Sequence, residues 1–366
     1  MSNWDFKPKN AGAAASGNTL QRFQQEALAH VKAGRMDNAM ESFRKILEKN
    51  PDAVPAYVGI ARVFLKKGDH EEALKHFQAA LHIKPDLAPA LAMMGSIYAQ
   101  LGESEKALQH LEDAISLDPT LTEARLNLSR ICLRMEHHGE AKLHAEEMLR
   151  HNPQSTEARI LLAKIFKHQG DAEAAIEVLR ADNRHSPESW RILLVLGQLY
   201  RSQERPLDAV VVLEQAAEIK PDEARIHLTL AGAHEDLGHG EKALETVKKA
   251  GRLAPEHPQV RLHSARLEIA HGDFDSAREI LAEMSRGKAA LGLVHRLLGE
   301  LAIEEGRFRS AVDEFRAALL HSKELVERHP SLLELANSTD DDKTLALTYR
   351  KELGKAIEKG VDAEVD

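Results

Sequence analysis

The sequence predicts an all-α protein built from nine stacked helix pairs, and three observations predict it. Prolines stand at Pro51, Pro85, Pro119, Pro153, Pro187, Pro221 and Pro255, every gap being 34 residues. Alanine recurs at the same spacing without a break, from Ala39 through Ala73, Ala107, Ala141 and Ala175 to Ala311. A second ladder holds small residues only, among them Ala27, Ala61, Gly95, Ser129, Ala163 and Gly197. Nine repeats of 34 residues therefore run without insertion from Leu20 to Leu325. A fixed period of this length is the mark of a repeat array.

Residues 1–19 precede the array and are rich in Ala, Gly, Asn and Ser, which predicts a disordered tail. Trp4 and Phe6 are its two aromatic residues, a candidate docking pair. Each repeat then reads as two helices. In Val54–Leu87, Tyr57, Ile60, Ala61 and Phe64 are spaced i, i+3, i+4 and i+7 and define one apolar face. Gly68 ends that helix, because glycine tolerates the left-handed backbone of a helix terminus. Ala73, Phe77, Ala80 and Leu81 form the face of the second helix, which Pro85 stops for want of an N–H. Ala61 and Ala73 are expected where the two helices cross, since only small side chains let backbones approach. One pair alone cannot bury both faces, so neighbours must stack.

The middle repeats depart from this pattern. The turn glycine is replaced by Glu136 in repeat four and Glu204 in repeat six. Repeat five ends on the polar run Asp182-Asn183-Arg184-His185, and repeat six opens its second helix with Pro206, where proline is well tolerated. After the ninth repeat, residues 326–359 are predicted to form capping helices. The last is expected from about Asp341 to Lys359, with Asp340 or Thr339 as its cap and Gly360 as its stop. Residues 360–366 form an acidic tail.

Composition narrows the function. The net charge of −9 argues against a polyanion binder, and 4% aromatic residues leave few stacking platforms for single-stranded nucleic acid. The lone cysteine, Cys132, rules out an internal disulfide. No apolar run approaches the roughly 20 residues of a membrane-spanning helix. The N-terminus lacks the apolar core of a secretory signal, so a cytoplasmic location is expected.

The quoted positions resemble the tetratricopeptide repeat family over about five-sixths of the chain. Leu91, Met94-Gly95, Tyr98, Gly102, Ala107, Leu111, Ala114 and Pro119 of one repeat carry the family pattern. The resemblance implies a right-handed superhelical solenoid of helix-turn-helix repeats, completed here by the C-terminal capping helix. It also implies a concave groove lined by the first helices, binding of peptides or partner proteins, and no chemistry of its own. Family members that hold a peptide's terminal carboxylate use a lysine–asparagine clamp. Around Asn127 the clamp positions read Ala92, Ser96, Glu157 and Leu161, so that clamp is absent. Glu364-Val365-Asp366 resembles the tail such clamps recognise, with Ala363 departing from the pattern.

Chemistry-bearing motifs dissolve on inspection. Gly238-His239-Gly240-Glu241-Lys242-Ala243 matches a dinucleotide fingerprint, but that motif needs a preceding strand. His76, His110 and His144 recur at the repeat period, yet stacked helices lie about 8–10 Å apart, too far to share a single zinc ion. They read as solvent-facing. Cys132 fills the slot held by Tyr98, Phe166 and Tyr200, a core position. Neither a catalytic centre, a cofactor nor a metal site is expected.

The first helices carry the candidate site. One inward slot reads Leu126, Ile160, Leu194, Leu228 and Leu262. Four residues on come Arg130, Lys164, Gln198, Gly232 and Arg266, and four further Arg134, His168, Ser202 and Asp236. Arg62 and Lys66 hold the basic slots of repeat two, with Lys167 and Arg201 beside the line. The leucines equally suit packing between neighbouring first helices. From repeat seven the strip turns acidic, with Glu235, Asp236, Glu300 and Glu304. The expected function is a scaffold or adaptor whose groove takes a protein or peptide segment with apolar anchors and acidic flanks. Neither nucleic acid nor membrane insertion is expected. A self-assembling platform or multimeric coat, and the recognition subunit of a separately encoded transferase, are the alternatives.

Overall fold

The computed structural model describes residues 14–183, 189–287, 290–322 and 340–358, with single positions at 329, 332, 335 and 338. Among the described residues every element is a helix. They fall into nine consecutive pairs and a final helix, and the chain divides into two compact units, Met1–Val178 and Leu179–Asp366.

The N-terminal unit opens with α1 (Ala14–Lys32) and α2 (Met36–Lys49). It continues with α3 (Val54–Lys67), α4 (His70–Ile83), α5 (Ala88–Gln100), α6 (Ser104–Leu117), α7 (Thr122–Arg134), α8 (His138–His151) and α9 (Thr156–His168). Helix α10 (Ala172–Asn183) straddles the division. From α1 to α9 each helix packs on the one before it in the chain. The repeated alanines explain the closeness: Ala39, Ala73, Ala107, Ala141 and Ala175 are all fully buried. The facing slot is equally constrained. A Cβ on Gly95 would lie 2.6 Å from Leu111 Cγ and 3.1 Å from the Ala107 carbonyl oxygen. Where that slot holds serine, Ser129 Oγ donates to the Ala141 carbonyl oxygen at 2.7 Å. Both ladders are thus the two sides of one helix crossing.

The C-terminal unit repeats the plan with α11 (Trp190–Ser202), α12 (Pro206–Ile219), α13 (Ala224–Asp236), α14 (Gly240–Leu253), α15 (Pro258–His271), α16 (Phe274–Ser285), α17 (Leu291–Glu304) and α18 (Phe308–Leu320). Helix α19 (Asp342–Glu358) then covers the last pair. Its Leu345, Ala346, Tyr349 and Leu353 are buried against Ala302, Phe315 and Leu319. This supplies the ninth repeat with the neighbour that an array end otherwise lacks. The cap of α19 is Asp341, whose Oδ1 accepts from the backbone of Lys343 and Thr344, each at 3.1 Å. Asp340, expected from the sequence, instead donates its own N–H to Ser338 Oγ at 3.2 Å, one residue too early to reach the first turn. Thr339, the aromatic pair Trp4 and Phe6, and the acidic tail lie outside the described residues.

Turns between paired helices use the left-handed backbone, with φ of 79° at Gly68 and Gly102. Glu136 and Glu204 occupy the same conformation at φ of 61° and 54°. The turn therefore survives loss of its glycine, at the steric cost that a Cβ adds there.

Candidate functional site

Among first helices α5 packs beside α7 and α7 beside α9 in the N-terminal unit, as do α11, α13, α15 and α17 in the C-terminal unit, so side chains at their equivalent slots share a face. In the N-terminal unit this face is built from α3, α5, α7 and α9. Arg62 and Lys66 lie four residues apart on α3, hence one above the other, and both are exposed. Arg130 and Arg134 repeat this arrangement on α7, also exposed. Arg134 donates to Ser104 Oγ at 3.2 Å. Lys164 and Lys167 on α9 are half-buried. Among the described residues, no carboxylate pairs with Arg62, Lys66 or Arg130, although the adjacent Lys67 pairs with Asp37 at 2.6 Å. Between these cations α5 contributes only neutral groups, Ser96 and Gln100. Asn127 of α7 donates to Ser96 Oγ at 2.9 Å, and Ser96 in turn donates to the Ala92 carbonyl oxygen at 2.9 Å. Leu126 and Ile160 are half-buried, partly packed and partly open to this face.

The C-terminal unit arranges the same slots differently. Arg201 forks onto Asp236, with Nε to Oδ2 at 2.6 Å and Nη2 to Oδ1 at 3.2 Å. Its guanidinium lies against Gly232, where a Cβ would come within 2.3 Å of Nη1. Glu235 accepts from Arg266 and, at 3.0 Å, faces His263 Nε2. Arg266 Nη2 also lies 3.3 Å from His263 Nδ1. Burial and the two arginines hold His263 below the ordinary histidine value, against the pull of Glu235. Burial alone would raise the Glu235 carboxyl, but His263 and Arg266 bring it below the usual range. Further on, Arg296 pairs with Glu300 at 3.1 Å and Arg350 with Glu304 at 3.0 Å. Leu228 is half-buried, whereas Leu194 is buried at 3% exposure and belongs to the core.

The sequence reading and the structure part company at Arg201 and at the acidic residues. Slot by slot, the sequence places Arg201 beside the open cations and Glu235 and Asp236 at a separate acidic end. In the fold these groups neutralise one another, Arg201 on Asp236 and Arg266 on Glu235, across adjacent first helices.

The histidine ladder also needs correction. His76, His110 and His144 are half-buried, not solvent-facing. His76 stacks on Phe64 at 5.5 Å and His110 on Tyr98 at 5.3 Å between ring centroids. Burial holds all three below the ordinary histidine pKa. The signal was in the sequence: each histidine follows the aromatic slot by twelve residues, one antiparallel turn away. Cys132 takes that aromatic slot in repeat four and is buried at 1% exposure. Burial and the nearby Glu140 push its thiol up to about 11, which leaves it without thiolate at neutral pH.

Comparison with known proteins agrees with the fold of stacked helix pairs. The family profile described as the cilia and flagella-associated protein 70 C-terminal domain, a tetratricopeptide-repeat profile, matches residues 5–204. The tetratricopeptide repeat profile itself matches residues 200–262 and 238–301. The chain belongs to the tetratricopeptide repeat family. No curated protein matches it. Among solved structures, a tetratricopeptide repeat protein of Parabacteroides merdae is similar with 19% identity and a TM-score of 0.56, over 69% of this chain and 100% of its own. The Pseudomonas aeruginosa protein pilF gives 22% identity and a TM-score of 0.48, over 58% of this chain and 96% of its own. A thermophilic repeat protein of Thermus thermophilus gives 22% identity and a TM-score of 0.43, over 50% and 99%. Repeats of this family serve in general as protein–protein interaction scaffolds and are generally non-catalytic. No helix among the described residues is long and apolar enough to cross a membrane.

Proposed function

We propose that this protein is a non-catalytic adaptor whose N-terminal unit binds an extended segment of a partner protein across the first helices α3, α5, α7 and α9. The observation that carries this reading is a contrast within one chain. In the C-terminal unit Arg201, Arg266 and Arg296 of the first helices each have a carboxylate of their own, and Glu304 is taken by Arg350 of the capping helix α19. In the N-terminal unit Arg62, Lys66 and Arg130 have none among the described residues. A cation held without a counter-charge on an ordered face attracts an acidic ligand and orients it. Leu126 and Ile160, half-open beside these cations, provide the apolar contact. The partner segment therefore carries acidic residues flanking an apolar anchor. First helices spaced by about 8–10 Å put α3 and α7 roughly 20 Å apart, so the segment must be extended over at least about six residues.

Selection of a displayed random-peptide library on the intact protein tests the reading. Recovered peptides should be enriched in Asp and Glu around one or two large apolar residues. Selection on the Arg62→Glu/Arg130→Glu variant should lose that enrichment. Basic or uncharged peptides recovered equally by both proteins would contradict it.

A further inference from the structure

Nine copies of one repeat form an internal control: a helix face that departs from the shared pattern is being used differently there. Helix α12 differs on its outward face. Leu207 is 70% exposed and Val211 is 56% exposed, one helical turn apart. At the slot of Leu207, seven of the other eight repeats carry a charged residue, Gly139 being the exception. At the slot of Val211, five of the other eight carry Glu or Asp; Leu143 is apolar too, but with Gly139 one turn before it only α12 sets two large apolar side chains there. Val210, half-buried, joins the two into a continuous apolar strip. Both side chains are mostly open to solvent, and valine at 211 is a poorer helix former than the glutamate most common at that slot.

The strip continues into charge of one sign. Glu214 and Glu218 follow Val211 at i+3 and i+7, are exposed, and form no ion pair among the described residues. Helix α12 is also the only second helix of the nine whose span contains no Lys or Arg. The cations at its two ends are engaged locally, Arg205 with Asp208 at 2.8 Å and Lys220 with Asp222 at 2.8 Å. The face of α12 is therefore apolar in its first half and acidic in its second, with no Lys or Arg within the helix to repel a basic visitor.

We propose that the outward face of α12 is a second docking surface, and that it takes an amphipathic helical segment of another protein. That segment sets its apolar side on Leu207, Val210 and Val211 and places Lys or Arg over Glu214 and Glu218. The surface is opposite in charge to the cationic face of the N-terminal unit. One chain then holds two partners of different chemistry, which is what an adaptor requires. The inference does not depend on the first docking face being correct.

The test uses the intact protein and a labelled 18-residue amphipathic peptide with leucines on one side and lysines flanking them. Its twin has glutamates in place of the lysines. Fluorescence anisotropy should show saturable binding of the lysine peptide and at least tenfold weaker binding of the glutamate peptide. Leu207→Glu/Val211→Glu should weaken the lysine peptide at least tenfold. That variant adds two negative charges to a chain at −9, so non-specific attraction would strengthen; only loss of the apolar strip can weaken binding. Glutamate at these slots is native to other repeats, so helicity and thermal midpoint should be retained. Glu214→Lys/Glu218→Lys should reverse the preference between the peptides, and Arg62→Glu/Arg130→Glu should leave it unchanged. Equal affinity of the wild type and Leu207→Glu/Val211→Glu, or no saturable binding, would overturn the proposal. So would sedimentation showing a wild-type dimer that the same variant dissociates, since a second copy of the chain would then cover the strip.

Discussion

Ser129 Oγ donates to the carbonyl oxygen of Ala141 at 2.7 Å, which places a side chain of α7 directly on the backbone of α8. No larger residue fits at either position. The contact explains why two ladders of small residues, offset by twelve positions, persist through nine repeats.

Ala141→Leu should therefore destabilise the N-terminal unit. Overpacking of this kind typically costs about 1–3 kcal/mol. Ser129→Ala keeps the space but removes the hydrogen bond, and should cost about 1 kcal/mol. Urea midpoints of the two variants should fall in that order. An unchanged midpoint for Ala141→Leu would show that the helices do not cross there.

The turns give a prediction of opposite sign. Glu136 and Glu204 hold φ of 61° and 54°, a backbone that only glycine adopts without a Cβ clash. Replacing either with glycine relieves a cost of roughly 1–2 kcal/mol. The extra freedom of glycine in the unfolded chain offsets part of this, about 0.4–1 kcal/mol. Glu136→Gly and Glu204→Gly should each raise the denaturation midpoint, most visibly when combined. A lowered midpoint would mean that the glutamates make compensating contacts.

Stability should decline between pH 7.5 and pH 5. Burial depresses the pKa of His76, His110, His144, His234 and His263 below the ordinary 6.5. A base with a depressed folded pKa contributes stability that is present above its unfolded value and is lost as pH falls through the folded value. Carboxylates such as Asp118 and Glu305 are lowered from 3.8 and 4.5, so their contribution fades only at more acid pH. Lys75 and Lys106, raised from 10.5, matter only in alkali. Urea midpoints measured across pH 7.5 to 5 should fall, and His110→Gln should flatten part of the slope. A midpoint independent of pH in that window would contradict the burial of these rings.

The repeat, its turns and its crossing residues were legible because they depend on spacing within one repeat, and nine copies display that spacing. The capping helix was legible too, apart from its cap, where Asp340 and Asp341 differ by a single residue. The charge pattern was not. Arg201 and Asp236 are 35 residues apart, one more than the period, so reading down equivalent slots puts them in different columns. The same reading misses Arg266 and Glu235, 31 residues apart. Only the lateral packing of first helices shows which cations are already satisfied, and it moves the candidate face into the N-terminal unit.

The most direct test of the central claim is a salt-dependent titration of one acidic, apolar-anchored peptide against two proteins. The wild type and Arg62→Glu/Lys66→Glu/Arg130→Glu are compared by isothermal calorimetry. These side chains are exposed, so each substitution should change stability by no more than about ±0.5 kcal/mol. Wild-type affinity should fall as salt rises, since exposed charges are screened beyond roughly 8 Å at physiological ionic strength. The triple variant should bind at least tenfold more weakly and lose most of the salt dependence. Equal affinity and an equal salt slope in the two proteins would show that the cationic face of α3 and α7 is not where the partner binds.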